Sequence, residues 1–346
     1  VDYDGTASSL LVEPERTNEV TYSSDFSNGW AYFDSSTEAN KLISPSGVLD
    51  ASKFIEGNGS SIKRIINLSQ SIVSGNDYTF SIFAKKGERD FITLTNSTGT
   101  ADVTTTFDLT NGTVTSGVGS IESLTNGWFR CSRSFTATAT VTSSYIAQAF
   151  INNGSGISYQ GDGTSGIYIY GASLEEGSYA TSYIPTDGGT VTRVQDQYSK
   201  TGISNLINSE EGVLFVESKA LADDEDTRIS ISDGTGNNYI SIGYSRFSGN
   251  IIAEIFAGGV LQTVGWGATG VNKLIYHKFA LSWGSGTMNF YMDGNISNTE
   301  SVTSPTGMNV LKFSTSVGAN NMFGKVKQLQ VYDIALTPTQ LQALTS

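Results

Sequence analysis

Apolar and polar residues alternate with a period of two in short runs along most of this chain. Tyr78, Phe80, Ile82 and Ala84 fall on one face of a run whose other face begins with Thr79 and Ser81. Ile167 and Ile169 alternate with Tyr168 and Tyr170, and Ile229 and Ile231 with Ser230 and Ser232. Phe279, Leu281 and Trp283, then Met288, Phe290 and Met292, repeat the pattern. Such alternation sets one face of a strand on a core and the other in water. Turn pairs separate the runs: Asn111-Gly112, Asn126-Gly127, Asp233-Gly234 and Asp293-Gly294. Many short strands cut by turns predict an all-β chain of two β-sandwich (jelly-roll) domains in tandem. The one clear helix signal is terminal. Thr337 caps, Pro338 suits the first helical position, and Gln340 completes a capping box ahead of Leu341 and Leu344.

Length agrees with two domains, since 346 residues exceed one ordinary core. The break is expected at Pro185-Thr186-Asp187-Gly188-Gly189, giving domains 1–186 and 187–346. A net charge of −13 repels phosphate backbones, and no basic patch offsets it, so nucleic acid is not an expected partner. No apolar run is long enough to span a bilayer, so membrane insertion is not expected. The single cysteine, Cys131, sits in a strand-like run and reads as a small buried hydrophobe. The chain begins with Val1 and shows no signal peptide, so it reads as a piece of something longer.

Three segments carry a family likeness. One is Leu10-Leu11-Val12-Glu13-Pro14-Glu15-Arg16-Thr17-Asn18 with Tyr22-Ser23-Ser24-Asp25-Phe26. The second is Gly166 to Gly177, ending Leu174-Glu175-Glu176-Gly177, with Ala180-Thr181-Ser182-Tyr183-Ile184-Pro185-Thr186. The third is Phe290-Tyr291-Met292-Asp293-Gly294 with Gly324-Lys325-Val326 and Val331-Tyr332-Asp333. The first two resemble a module of tailed-bacteriophage fibre and spike proteins, a jelly roll like those of carbohydrate-binding modules. The third is similar to concanavalin A-like lectin and laminin-G sandwiches. The resemblance implies a non-catalytic virion protein (a fibre, spike or decoration arm), extracellular after release. It also implies a homotrimer that contacts other virion proteins and host-surface glycans. A secreted bacterial carbohydrate-binding adhesin and a polysaccharide-degrading enzyme, or a fragment of one, stay open as alternatives. In the segments themselves, Gly171 suits a bulge. Tyr183-Ile184-Pro185 reads as an extended strap fixing the angle between the sandwiches.

No catalytic residues are expected. The alternating two-glutamate, one-aspartate strand of concanavalin-like glucanases is absent, and the acidic run Asp223-Asp224-Glu225-Asp226 is consecutive. Asp223, Asp224 and Asp226 are instead candidate Ca²⁺ ligands, against the plainer reading of a solvated acidic loop. His277, the only histidine, has neither a nucleophile elbow nor a second histidine to work with. Aromatics are the better lead, because a sugar's C–H face stacks on a ring. Trp266, in Gly265-Trp266-Gly267, is expected in a loop, with Tyr239 and Tyr244 bracketing Ile240–Ile242 nearby. These three are the candidate carbohydrate site; rim packing between strands is the competing reading.

Overall fold

Alternation along the strand Asp77–Lys86 sends Tyr78, Phe80, Ile82 and Ala84 into one core and Thr79, Ser81 and Phe83 to the opposite face. The computed structural model in which this is seen describes residues 2–4, 7–96, 103–223, 226–246, 251–266 and 270–346. It is nearly all β, as the alternation predicts, with the helix Pro338–Thr345 at the end. That helix has the expected capping box, Thr337 accepting from the Gln340 amide while Gln340 reaches back. Its Leu341 seals a small cluster with Val213, Phe215, Ala280 and Tyr291.

Residues Glu15–Val194 form one compact unit. Its front sheet has six strands in the order Ser120–Ser123, Phe129–Thr136, Asp77–Lys86, Gly166–Glu176, Leu49–Glu56, Ser35–Ile43. The back sheet runs Thr113–Ser116, Val103–Asp108, Phe91–Asn96, Ala147–Asn152, Arg64–Asn67, Trp30–Phe33. Between them lie Phe54, Phe80, Ile82, Ile167 and Ile169 from the front and Ile65, Ile92, Leu94, Phe107 and Ile151 from the back. Each such side chain contributes about 1.5–3 kcal/mol by leaving water. Cys131 belongs to this core, and burial pushes its thiol far above the ordinary range.

The two family-like segments of this unit are tied together by one side chain. Asn18 is fully buried. Its amide nitrogen donates to the carbonyls of Ala172 (3.2 Å) and Ile184 (2.8 Å). Its oxygen accepts from the amides of Val20 and Leu174, both at 3.1 Å. The strap that follows lies on its own unit's front sheet. Tyr183 packs edge-on against Phe83 and Tyr170 and shares a 2.5 Å hydrogen bond with Ser23. Glu175, buried, accepts from the Thr181 amide and hydroxyl and from Ser173. Gly171 sits at a register break with φ +56°, where an added Cβ would lie 2.9 Å from the Phe83 ring.

The second unit combines Gln195–Ser346 with Val1–Pro14. This differs from the expected division at 186/187. The strand Ala7–Val12 pairs with Gly324–Tyr332, Leu10 opposite Val326, so the first strands belong to the C-terminal sheet. The seven-stranded back sheet runs Asp2–Asp4, Ala7–Val12, Gly324–Tyr332, Gly212–Ala220, His277–Gly284, Thr287–Met292, Asn295–Ser301. The front sheet runs Ser199–Thr201, Val310–Lys312, Thr227–Ser232, Tyr239–Tyr244, Ile251–Ala257, Val260–Trp266. Leu214, Phe279, Leu281, Trp283 and Phe290 meet Ile229, Ile231, Ile240, Ile242 and Ile255 in its core. Asp293 (φ 46°) and Gly294 (φ 77°) make the two-residue hairpin expected of that pair. Among the described residues, no helix is long and apolar enough to cross a membrane.

Candidate functional site

The residue after a core position on a strand faces away from that core. On Phe129–Thr136, Cys131 points inward, so Arg130, Ser132 and Ser134 point out from the front sheet of the N-terminal unit. Thr79 joins them from the neighbouring strand, and the segment Ser178-Tyr179-Ala180 arches over. The result is a cavity of about 350 Å³, walled on its far side by Ser120 and Glu122. That volume lies within the range of small-molecule sites. The floor is a polar lattice in which the Thr79 and Ser134 hydroxyls lie 2.8 Å apart and each also reaches one carbonyl, Gly177 for Thr79 and Ser178 for Ser134, so that two hydroxyl protons are shared among three contacts.

Arg130 is the fixed cation of this cavity. It donates to the Thr181 carbonyl and, at 3.0 Å, to Ser81. Its guanidinium lies 5.3 Å from the centre of the Phe83 ring and 3.8 Å from Glu175. Tyr179 supplies an aromatic surface, backed by the Arg16 guanidinium at 5.5 Å. Glu122 stands exposed at the rim and is the only carboxylate of the lining. Beyond the cavity the same sheet face turns apolar, with Trp128, Phe83, Tyr170 and Ala51 clustered together. None of the cavity residues was singled out from sequence. The signal that would have found them is the alternation of Arg130, Ser132 and Ser134 around Cys131.

The residues that sequence reasoning did single out are not brought together. Tyr239 and Tyr244 are five positions apart on one strand, an odd spacing that puts them on opposite faces. Tyr244 is fully buried, donates to the Ser218 carbonyl at 2.5 Å, and packs edge-on against Phe279. It is a core residue and offers no ring to a ligand. Tyr239 lies on the outer face, half-buried and stacked on Phe256 at 4.6 Å. Burial and the nearby Glu254 push its hydroxyl above the ordinary tyrosine range. Around it run Ser241, bonded to Glu254 at 3.0 Å, and Arg228, whose guanidinium burial pulls below its usual range. Trp266 ends the strand Val260–Trp266, its backbone opposite Ile252, where a loop was expected; its side chain lies outside the described residues.

The Ca²⁺ assignment meets a competing cation. Lys273, fully buried, donates to the Asp223 carbonyl and, at 2.9 Å, to the Ser245 carbonyl. Asp226 is taken by Arg246, through its amide at 2.8 Å and its guanidinium at 3.4 Å. Arg246 thus already pairs the Asp226 carboxylate, while Lys273 takes the backbone carbonyl of Asp223. Asp224 and Glu225 lie outside the described residues. Among the described residues no three metal-ligating side chains gather. The N-terminal unit repeats the device: buried Lys63 donates to Asp34 and to the carbonyls of Gly59 (2.7 Å) and Ser61 (3.1 Å).

The other tryptophans and the histidine are held by structural contacts. Trp30 and Trp128 bond the carbonyls of Tyr22 and Ile43, at 2.8 and 3.1 Å. Trp283 is wholly buried in the C-terminal core. His277 is held between Asp293 (2.6 Å) and the Asn272 carbonyl (2.9 Å).

No protein-family model matches the sequence, and no curated protein does. Solved structures do match. A Ruminococcus gnavus sialidase carbohydrate-binding module of type 40 shares 16% identity, with 43% of this chain and 98% of that one covered and a TM-score of 0.36. A Caenorhabditis elegans galectin shares 12%, with 39% and 89% covered and a TM-score of 0.28. Domains LG4-5 of the mouse laminin alpha1 chain share 12%, with 79% and 86% covered and a TM-score of 0.29.

Proposed function

We propose that this chain is a non-catalytic arm of a bacteriophage virion whose N-terminal sandwich binds glycans. The observation that carries glycan binding is the cavity at Arg130. Its lining joins one tyrosine ring, one fixed guanidinium, one exposed carboxylate and a set of hydroxyls from Thr79, Ser120, Ser132, Ser134 and Ser178. A polyhydroxylated ring with a C–H face needs that mixture, and an apolar ligand does not. Absence of catalysis is supported by the single carboxylate of the lining. Glycoside hydrolysis ordinarily requires two flanking the scissile bond, and nearby Glu175 is already occupied by Thr181 and Ser173. The virion assignment rests on the sequence resemblance of the Asn18 and Leu174–Thr186 segments to phage fibre modules. The same resemblance makes the arm a homotrimer among other virion proteins, facing the host surface; a clean monomer mass for the untruncated protein contradicts that part.

A single shallow site of this kind binds with Kd on the order of millimolar, about −4 kcal/mol. The test is a glycan array followed by titration of the best hit against Tyr179→Ala. Affinity is expected to fall about tenfold, ~1.4 kcal/mol, while the melting temperature moves little because Tyr179 is only half-buried. Unchanged affinity in a folded variant, or no glycan bound at millimolar concentration, removes the cavity from the account.

A further inference from the structure

The cavity at Arg130 holds two opposite charges that do not pair. Ile121 packs on the core, so its neighbours Ser120 and Glu122 face outward, into the same lining as Arg130 and Ser132. In the paired strands Ser120–Ser123 and Phe129–Thr136, Glu122 stands directly opposite Arg130. Side chains so placed have Cβ atoms about 4.5–5.5 Å apart, near enough for their charges to meet. The Arg130 guanidinium leans the other way. Its strand lies between that of Glu122 and Asp77–Lys86. Ser81 and Phe83, which it bonds and stacks on, belong to Asp77–Lys86, and Glu175 belongs to the strand beyond.

The two charges are therefore unequal to a ligand. Glu175 is fully buried and 3.8 Å from Arg130, so the guanidinium is offset from inside the fold. Glu122 is exposed, and among the described residues it takes part in no ion pair or side-chain hydrogen bond. Glu122, Arg130 and Tyr179 are the titratable residues of the lining. The charge that an entering molecule meets is the Glu122 carboxylate. The net charge of −13 acts in the same direction, against anions and in favour of cations.

We propose that the Arg130 cavity selects a sugar carrying a protonated amine, with the ring on Tyr179 and the ammonium on Glu122. This selectivity rests on glycan binding by that cavity and names the class of sugar. Tyr179 and Glu122 line one space of about 350 Å³, small enough for a single hexose to touch both. A neutral hexose meets the same ring and hydroxyls and leaves Glu122 to water. An acidic hexose brings a second negative charge toward it.

The experiment titrates the full chain with methyl glucosaminide, methyl glucoside and methyl glucuronide, read by ligand-observed NMR. It is run at about pH 6, where the amine is protonated and carboxylates are ionised. The glucosaminide is expected to bind about fivefold more tightly than the glucoside, the scale of a partly exposed ion pair, and the glucuronide more weakly than either. Glu122→Gln brings glucosaminide and glucoside within about twofold of each other, and Tyr179→Ala weakens both about tenfold. Equal affinity for glucosaminide and glucoside in the parent overturns the selectivity and leaves glycan binding standing. So does a glucuronide bound more tightly than the glucoside. A preference that survives in folded Glu122→Gln also overturns it, because the amine then pairs elsewhere on an acidic surface. If none of the three binds while an array glycan does, the selectivity alone fails; if no sugar binds at all, the glycan reading of the cavity fails with it. If Glu122→Gln does not fold, the parent's preference is followed from about 50 to about 500 mM NaCl: narrowing supports the ion pair, and no change overturns it.

Discussion

Replacing Asn18 by leucine is expected to lower the melting temperature of the N-terminal sandwich by about 8–16 °C. The size follows from what one amide holds. Four backbone groups, the carbonyls of Ala172 and Ile184 and the amides of Val20 and Leu174, are bonded to it inside the fold. A buried polar group left without a partner costs about 1–3 kcal/mol. Part of each loss is recovered as the strap shifts, so about 4 kcal/mol is expected, and a domain of this size loses roughly 2–4 °C per kcal/mol. Asn18→Asp is the sharper control: it keeps the shape and the acceptor, removes the two donated bonds and buries a charge. Differential scanning calorimetry should find both variants strongly destabilised. A melting temperature within about 2 °C of the parent for either would mean that Asn18 does not tie the segments together.

The second large effect is expected at Glu56, and it depends on pH. Its carboxylate is buried and accepts from Arg89 twice (2.7 and 2.6 Å), from Tyr159 (2.6 Å) and from the Asp162 amide (2.9 Å). Burial by itself would raise the acid's pKa; the bonds from Arg89, Tyr159 and Asp162 outweigh it and hold the carboxyl below the ordinary range. A carboxyl with a depressed folded pKa stabilises the fold above its unfolded pKa, and that contribution is lost as pH falls through the folded value. Glu56→Gln should therefore cost about 3 kcal/mol at pH 7, the lower end for breaking a buried pair because Arg89 keeps partial contact with water. The gap should narrow steadily in acid, below about pH 4. Urea melts of both proteins from about pH 7 to about pH 3 check it. A gap that stays constant with pH would mean that Glu56 acts by shape and not by charge.

Local patterns carried much of the fold. The period-two runs became strands, Asp293-Gly294 became a two-residue hairpin, and the Thr337–Gln340 box capped the one helix. Pairing between distant segments has no such local trace. Nothing in Ala7–Val12 distinguishes a partner at Gly324–Tyr332 from one in the nearer sandwich, and so the division of the chain was misplaced. The candidate site was less legible. Parity alone separates Tyr239 from Tyr244, and that reading was available. The ammonium of Lys273 beside Asp223 was not, because the two are brought together only by folding. Nor was the Arg130 cavity, whose roof at Ser178–Ala180 depends on Glu175 and Asn18 to hold the strap in place.

Glycan binding by the N-terminal sandwich is tested most directly by mapping backbone amide shifts while the best array ligand is titrated into labelled protein. The account predicts saturable shifts centred on Gly119, Ser120, Ser132, Ser134, Ser178 and Tyr179, the residues around the Arg130 cavity. Shifts confined to other parts of that sandwich, or none at saturating ligand, would contradict it.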